Sequence, residues 1–145
     1  MLKTRSIKKW FTKPPDFKTC SIQPNERHLF CKAVKLYFFL HHVNHDELPE
    51  KWGERFRHSS NVVYSMLRNY MLNGRFDIEY LEFLNDELAG LHHHKDEFPW
   101  SIPPDQIEQI ELKSKVPITF RDEETAETLD MFYYPDEHIC EYRIY

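Results

Sequence analysis

Histidine is the residue type with the greatest chemical potential in this sequence: nine occur in 145 residues, and six of them lie in two clusters. The clusters span residues 41–47 and 92–97, and each combines three histidines with one aspartate and one glutamate. Neutral imidazole is the commonest transition-metal ligand. His41 and His45 are four residues apart, which would place both on one side of a helix. One hypothesis is therefore a zinc site formed by His41, His45 and His93, in a metal-dependent hydrolase or nuclease.

Two features of the sequence weaken the metal hypothesis. The pattern H-E-x-x-H is absent, and His45 is expected to lie beyond the end of its helix, where the i,i+4 geometry fails. Histidines near a helix C-terminus are also favoured by the helix dipole alone. No cofactor is therefore assigned, and zinc is kept as the alternative.

Other catalytic patterns are missing. The three glycines are too far apart to form G-x-G-x-x-G, G-x-x-x-x-G-K-[ST] or G-x-S-x-G. Ser59 and Ser60 follow His58, but neighbours in sequence do not form triad geometry, and helix capping explains both serines better. No catalytic residue is assigned, and an enzyme is the less favoured class.

Acidic residues form a more informative pattern on the third predicted helix. At about 100° per residue, Glu79, Glu82 and Asp86 share the face opposite an apolar stripe of leucines, and Phe83 lies beside them. An aromatic ring surrounded by carboxylates suits a basic partner, although Phe83 could instead pack under a neighbouring loop. We predict partner binding by this face together with acidic groups of the C-terminal third: Glu123, Glu124, Asp136 and Glu137.

The N-terminal residues have the opposite charge. Residues 1–20 carry six basic groups and one acidic group, whereas residues 101–145 carry four basic and eleven acidic groups. The mixture of cations and aromatic rings at the start suits nucleic acid, with Lys3, Arg5, Lys8, Lys9 and Trp10 as candidate contacts. The net charge of −5 and the lack of an RNA-binding signature oppose this. The alternative is an arm anchored to the body by Trp10 and Phe11.

Cysteine usage and hydropathy indicate the compartment. Three cysteines without a C-x-x-C pair fit buried thiols in a reducing compartment better than a disulfide framework. No apolar stretch resembles a secretory signal or is long enough to cross a bilayer. We therefore expect a cytoplasmic protein without a transmembrane segment.

Helices are predicted in the first two thirds, because apolar residues recur there at spacings of three and four. Their expected ranges are residues 25–43, 59–74 and 77–90, with a short helical turn at residues 52–56. The second helix has candidate N-caps at residues 59–61, and Asp77 caps the third. Gly74 and Gly90 are expected to end these two helices.

The last third changes to a period of two. Strands are predicted at residues 116–121, 128–133 and 140–145, joined by turns at residues 122–125 and 135–137. Pro117 suits an edge strand, and residues 105–112 suit a fourth strand or a short helix capped by Asp105. The loop between the helices and the strands is longer than a connection needs, so a packing or binding role is expected.

These elements predict one α+β domain in which an N-terminal layer of about three helices packs on a small C-terminal antiparallel sheet. Its expected parts are a basic arm (residues 1–23), a helical part (24–90), a loop (91–105) and a mainly β part (106–145). The favoured function is an acidic protein-interaction module, an inhibitor of the immunity or antitoxin type, that binds a basic protein partner. The alternatives are the metal-dependent enzyme and the nucleic-acid-binding module.

Overall fold

The computed structural model describes residues 16–43, 47–113 and 117–145. The helices and strands are, in chain order, β1 (Lys18–Ser21), α1 (Arg27–His42), α2 (Glu50–Asn73), α3 (Ile78–His93), β2 (Pro117–Arg121), β3 (Thr128–Tyr134) and β4 (Ile139–Ile144). Two short 3₁₀ helices, Pro24–Glu26 and Pro104–Gln109, precede α1 and β2. The second of these occupies the segment for which a strand or a short helix was predicted.

The four strands form one antiparallel sheet in the order β1-β4-β3-β2. The three predicted strands and the turns between them are confirmed, and β2 is an edge strand, as Pro117 indicated. Alternate residues of β3 point to opposite faces, so Leu129, Met131 and Tyr133 lie in the core. The predicted α+β layout is therefore correct.

The core lies between the inner face of the sheet and the pair α1 and α2. Phe30 of α1 is fully buried between Tyr70 of α2 and Tyr133 of β3, with ring centroids 5.7 and 5.8 Å away. Tyr37 of α1 packs edge-on against Phe120 of β2 at 4.7 Å. α3 joins α2 through side chains on the far side from the sheet, and the fold is therefore layered as sheet, α1 with α2, and then α3.

The basic arm contains a strand that the sequence analysis did not predict. β1 lies within residues 1–23 and pairs with β4, with Cys20 opposite Cys140. Only Cys20 of its four residues is buried, so the segment has no alternating apolar pattern to reveal it. The sheet hydrogen bonds of β4 therefore stabilise β1 more than its own side chains do.

The second predicted helix begins too late in the sequence interpretation. α2 starts at Glu50, so the expected turn at residues 52–56 and the expected helix form one element. Ser59, Ser60 and Asn61 are not N-caps, and each has another partner. The Ser59 hydroxyl donates to Glu87, the Ser60 hydroxyl donates to the carbonyl of Arg57, and Asn61 accepts from the amide of Glu123.

The third helix ends later than expected. Asp77 is its N-cap, and its carboxylate accepts the amide hydrogen of Glu79 at 2.8 Å, as predicted. Gly90 does not end it, however, because α3 continues to His93 and takes in the start of the predicted loop. A Cβ at position 90 would lie 3.1 Å from Nη2 of Arg55, so this glycine makes room for an arginine from α2.

Two glycines of α2 give a prediction with opposite signs. Gly74 ends α2 with φ of 82°, whereas Gly53 lies inside the helix, and an added Cβ meets nothing within 4 Å at either position. We expect Gly74→Ala to lower the free energy of unfolding by about 1 kcal/mol, because alanine disfavours positive φ. Gly53→Ala should raise it by about 0.5–1 kcal/mol through helix propensity. Urea denaturation of both variants measures this, and equal signs would contradict the backbone argument.

Candidate functional site

The outer face of α3 carries the most one-sided charge of any described helix. Its sixteen residues include four carboxylates and neither lysine nor arginine. Glu87 is buried, whereas Glu79, Glu82 and Asp86 are exposed and form no ion pair with any residue that the structure describes. We call Glu79, Glu82, Phe83 and Asp86 the α3 acidic face. These four predicted residues do lie together on one surface.

The apolar part of this surface differs from the sequence-based expectation. Phe83 is half-buried and packs against the hydrophobic core, so it is not the exposed ring that was predicted. Ile78, in the first turn of α3, is instead 72% exposed. Ile78 and Glu82 are four residues apart and therefore neighbours on the helix. Ile78 is a binding candidate that the sequence analysis missed, although its apolar type beside three carboxylates was a usable signal.

The predicted acidic groups of the sheet lie in two separate places. Glu123 and Glu124 belong to the turn after β2, whereas Asp136 and Glu137 belong to the turn after β3. Successive turns of an antiparallel sheet lie at opposite ends of the shared strand, here the seven residues of β3, roughly 20 Å apart. α3 lies across α1 and α2 from the sheet. The eight predicted partner-binding residues therefore do not form one surface.

Glu123 and Glu124 border the largest cavity found among the described residues. Its volume is about 430 Å³, and it lies between α1, the first half of α2 and the turn after β2. An adjoining depression of about 330 Å³ shares Arg57 and Glu123 with it. The lining combines apolar Leu40, Leu48 and Phe56 with Glu50, Glu54, Arg57, Glu123 and Glu124. Four carboxylates over an apolar floor suit a cationic group and make this a second acidic surface.

His41 also lines the cavity, beside Tyr37 of the preceding helical turn. The two ring centroids are 4.3 Å apart. Burial raises the pKa of Tyr37 to about 12. Its hydroxyl also accepts the amide hydrogen of Arg121 at 2.7 Å. Tyr37 is thus a structural residue that ties α1 to the sheet, rather than a proton donor for chemistry.

The histidines predicted as metal ligands are placed as follows. His41 is at the end of α1, and His93 is at the end of α3 with its ring 5.6 Å from that of His94. His45 lies outside the described residues. Across residues 16–43, 47–113 and 117–145, no group of three or more His, Cys, Asp or Glu side chains is placed to hold a metal ion. The zinc site stays an untested prediction.

The three cysteines are free thiols, and two of them are neighbours across β1 and β4. A hydrogen bond between these thiols lowers the pKa of Cys20, whereas the same bond and burial raise the pKa of Cys140. Cys140 is completely buried and also contacts the sulfur of Met71 at 3.3 Å. These contacts make the pair part of the core, as the predicted buried thiols require.

The long loop after α3 packs against the helices. Trp52 of α2 contacts His94 and Phe98 at 4.8 and 5.4 Å, and Trp100 lies 5.6 Å from Phe39. Arg55 lies 5.0 Å from the centre of the Trp52 ring. This aromatic cluster explains the length of the loop by packing, one of the two roles that the sequence suggested.

The nucleic-acid candidates Lys3, Arg5, Lys8, Lys9 and Trp10 lie outside the described residues. No described helix has the length and apolar character needed to cross a membrane. No protein-family model matches the chain, and no match was found among curated proteins or solved structures. The argument for function therefore depends on the surfaces described above.

Proposed function

We propose that this chain is a cytoplasmic protein-interaction module that binds a basic protein through the α3 acidic face and inhibits it by covering its basic surface. One observation carries the proposal: Glu79, Glu82 and Asp86 are exposed without a neutralising cation from the described residues, on a helix with neither lysine nor arginine. Charges left unbalanced in this way attract a basic protein and repel acidic ones.

The carboxylates alone give little affinity, because exposed ion pairs contribute only about 0.2–1 kcal/mol each. A complex of useful lifetime also needs a side chain that loses its contact with water on binding. Ile78 is the best placed, because it is 72% exposed and adjoins Glu82 on the same helix. We therefore assign Ile78 the apolar contact and the three carboxylates the attraction that precedes it.

Charge reversal at Glu82 tests this assignment. Wild type, Glu82→Lys and the matched control Glu111→Lys serve as baits in parallel pull-downs from cells of the source organism. Glu111 is an equally exposed carboxylate on the segment before β2, so both variants change the net charge by the same amount. The supporting result is a basic protein captured by wild type and Glu111→Lys but lost with Glu82→Lys.

Binding kinetics with the captured protein refine the result. Glu82→Lys should slow association by about tenfold at low salt, and by less near physiological salt, where the Debye length falls to about 8 Å. Ile78→Ala should chiefly raise the dissociation rate, by about 1–2 kcal/mol, with little change in melting temperature. The absence of any protein whose capture depends on Glu82 would contradict the proposed function.

A further inference from the structure

The outer face of the sheet, opposite the helices, is more deeply buried than the described elements explain. Phe132 of β3 and Glu141 of β4 are directly opposite each other in the strand register, and both point away from the inner face. Each is only 7% exposed. Two neighbouring side chains on a bare sheet face would be open to water, so another layer must cover them.

None of the described helices supplies that layer. α1 and α2 pack on the inner face, and α3 packs on α2. Of the described residues outside the strands, Asp16 and Phe17 are the ones that contact the outer face. The Phe17 ring lies 5.5 Å from that of Phe132, and the carboxylate of Asp16 lies 3.9 Å from the guanidinium of Arg143. The chain before Asp16 therefore begins at this face.

We propose that residues 1–15 dock across the outer face of the sheet and cover Phe132 and Glu141. Burial within a single chain requires a segment of the same chain. The other two segments outside the described residues, 44–46 and 114–116, are three residues long and are attached to the end of α1 and the start of β2. Neither adjoins β4, whereas residues 1–15 lead directly into Phe17 and β1, which pairs with β4.

The composition of residues 1–15 matches the surface they would cover. They contain five cations, no acidic residue and the neighbouring rings of Trp10 and Phe11. A buried carboxylate such as Glu141 is stable only where cations or hydrogen-bond donors face it, and Phe132 suits an aromatic neighbour. The docked cations would then be less available to nucleic-acid phosphates.

The length of this segment is also sufficient. Fifteen extended residues reach up to about 50 Å. A four-stranded sheet is only about 14 Å wide between its outer strand axes. The segment can therefore cross the whole face from β1 towards β2, even with a turn at Pro14-Pro15.

Limited trypsin digestion of the full chain tests this docking. Residues 1–15 offer cleavage sites after Lys3, Arg5, Lys8 and Lys9, and a synthetic peptide of the same sequence gives the rate for an undocked segment. Cleavage of a transiently opened site follows the open population, so we expect these sites in wild type to be cut at least about tenfold more slowly than in the peptide.

Three variants locate the docking surface. Glu141→Gln removes the buried charge at nearly constant shape, and Phe132→Ala removes the apolar contact. The matched control Glu82→Gln neutralises a carboxylate on the α3 acidic face instead. We expect the first two to raise the cleavage rate about tenfold, towards that of the peptide, and the control to leave it unchanged. Cleavage after Arg68 and Arg121 monitors unfolding of the body and should not change.

Each remaining outcome would overturn the proposal. Wild-type cleavage within twofold of the peptide would show that the segment does not dock. Slow cleavage that neither Glu141→Gln nor Phe132→Ala raises would place it on another surface, and release by Glu82→Gln would place it on the α3 acidic face. If cleavage after Arg68 rises in parallel in Phe132→Ala, the isosteric Glu141→Gln variant decides.

Discussion

Phe30→Ala is expected to lower the free energy of unfolding by about 3–5 kcal/mol, the largest effect of any substitution considered. Phe30 is fully buried, and its ring contacts Tyr70 of α2 and Tyr133 of β3. Removing it opens a cavity where α1, α2 and the sheet meet. Since domains of this size are stable by about 5–15 kcal/mol, much of the stability would be lost.

Urea denaturation followed by circular dichroism measures this effect. The midpoint should fall while the slope with denaturant stays constant, because the surface exposed on unfolding changes little. Leu29→Ala, at the half-buried neighbouring position of the same helix, controls for helix propensity and should cost clearly less. A greater loss in Leu29→Ala than in Phe30→Ala would mean that this three-way junction is not the centre of the core.

Burial of Phe30 was predictable because it depends on local periodicity. Apolar residues at spacings of three and four located α1, and alternation located β2, β3 and β4 within one or two residues. These patterns record which side of an element meets the core, whatever the partner is. They also placed Glu79, Glu82 and Asp86 correctly on one exposed face.

Features that depend on a specific distant partner were missed. Ser59 and Asn61 have the residue types of helix caps, but Glu87 and Glu123 are their partners in the folded chain. Gly90 has the type of a helix terminator, but its missing side chain admits Arg55. A sequence gives the residue type at each position, and here the same type serves a local or a tertiary role equally well.

The division of the acidic site could have been predicted. Glu124 and Asp136 lie in successive turns of three strands that were correctly predicted to follow one another. Successive turns of such a meander lie at opposite ends of the sheet, so these carboxylates could not share one surface. The exposure of Ile78 and the half-burial of Phe83 required the angle between α3 and α2, which the sequence does not specify.

Glu87→Ala is expected to lower the free energy of unfolding by about 1–3 kcal/mol, the second largest effect, because it breaks a buried network between α2 and α3. Glu87 is 9% exposed and accepts a hydrogen bond from the Ser59 hydroxyl at 2.8 Å. Arg55 lies 3.4 Å from its other oxygen. Alanine leaves the buried hydroxyl without its acceptor, whereas the more exposed Arg55 can regain water, so Ser59 accounts for most of the loss.

Two further variants separate the hydrogen bond from the charge. Glu87→Gln keeps an acceptor for Ser59 and loses only the partly exposed ion pair, so it should cost less than about 1 kcal/mol. Asp86→Asn changes the neighbouring exposed carboxylate and should stay within about 0.5 kcal/mol of wild type. Thermal and urea unfolding of the three variants give the comparison. A cost for Glu87→Gln equal to that of Glu87→Ala would show that the ion pair with Arg55, and not the hydrogen bond with Ser59, holds α3 against α2.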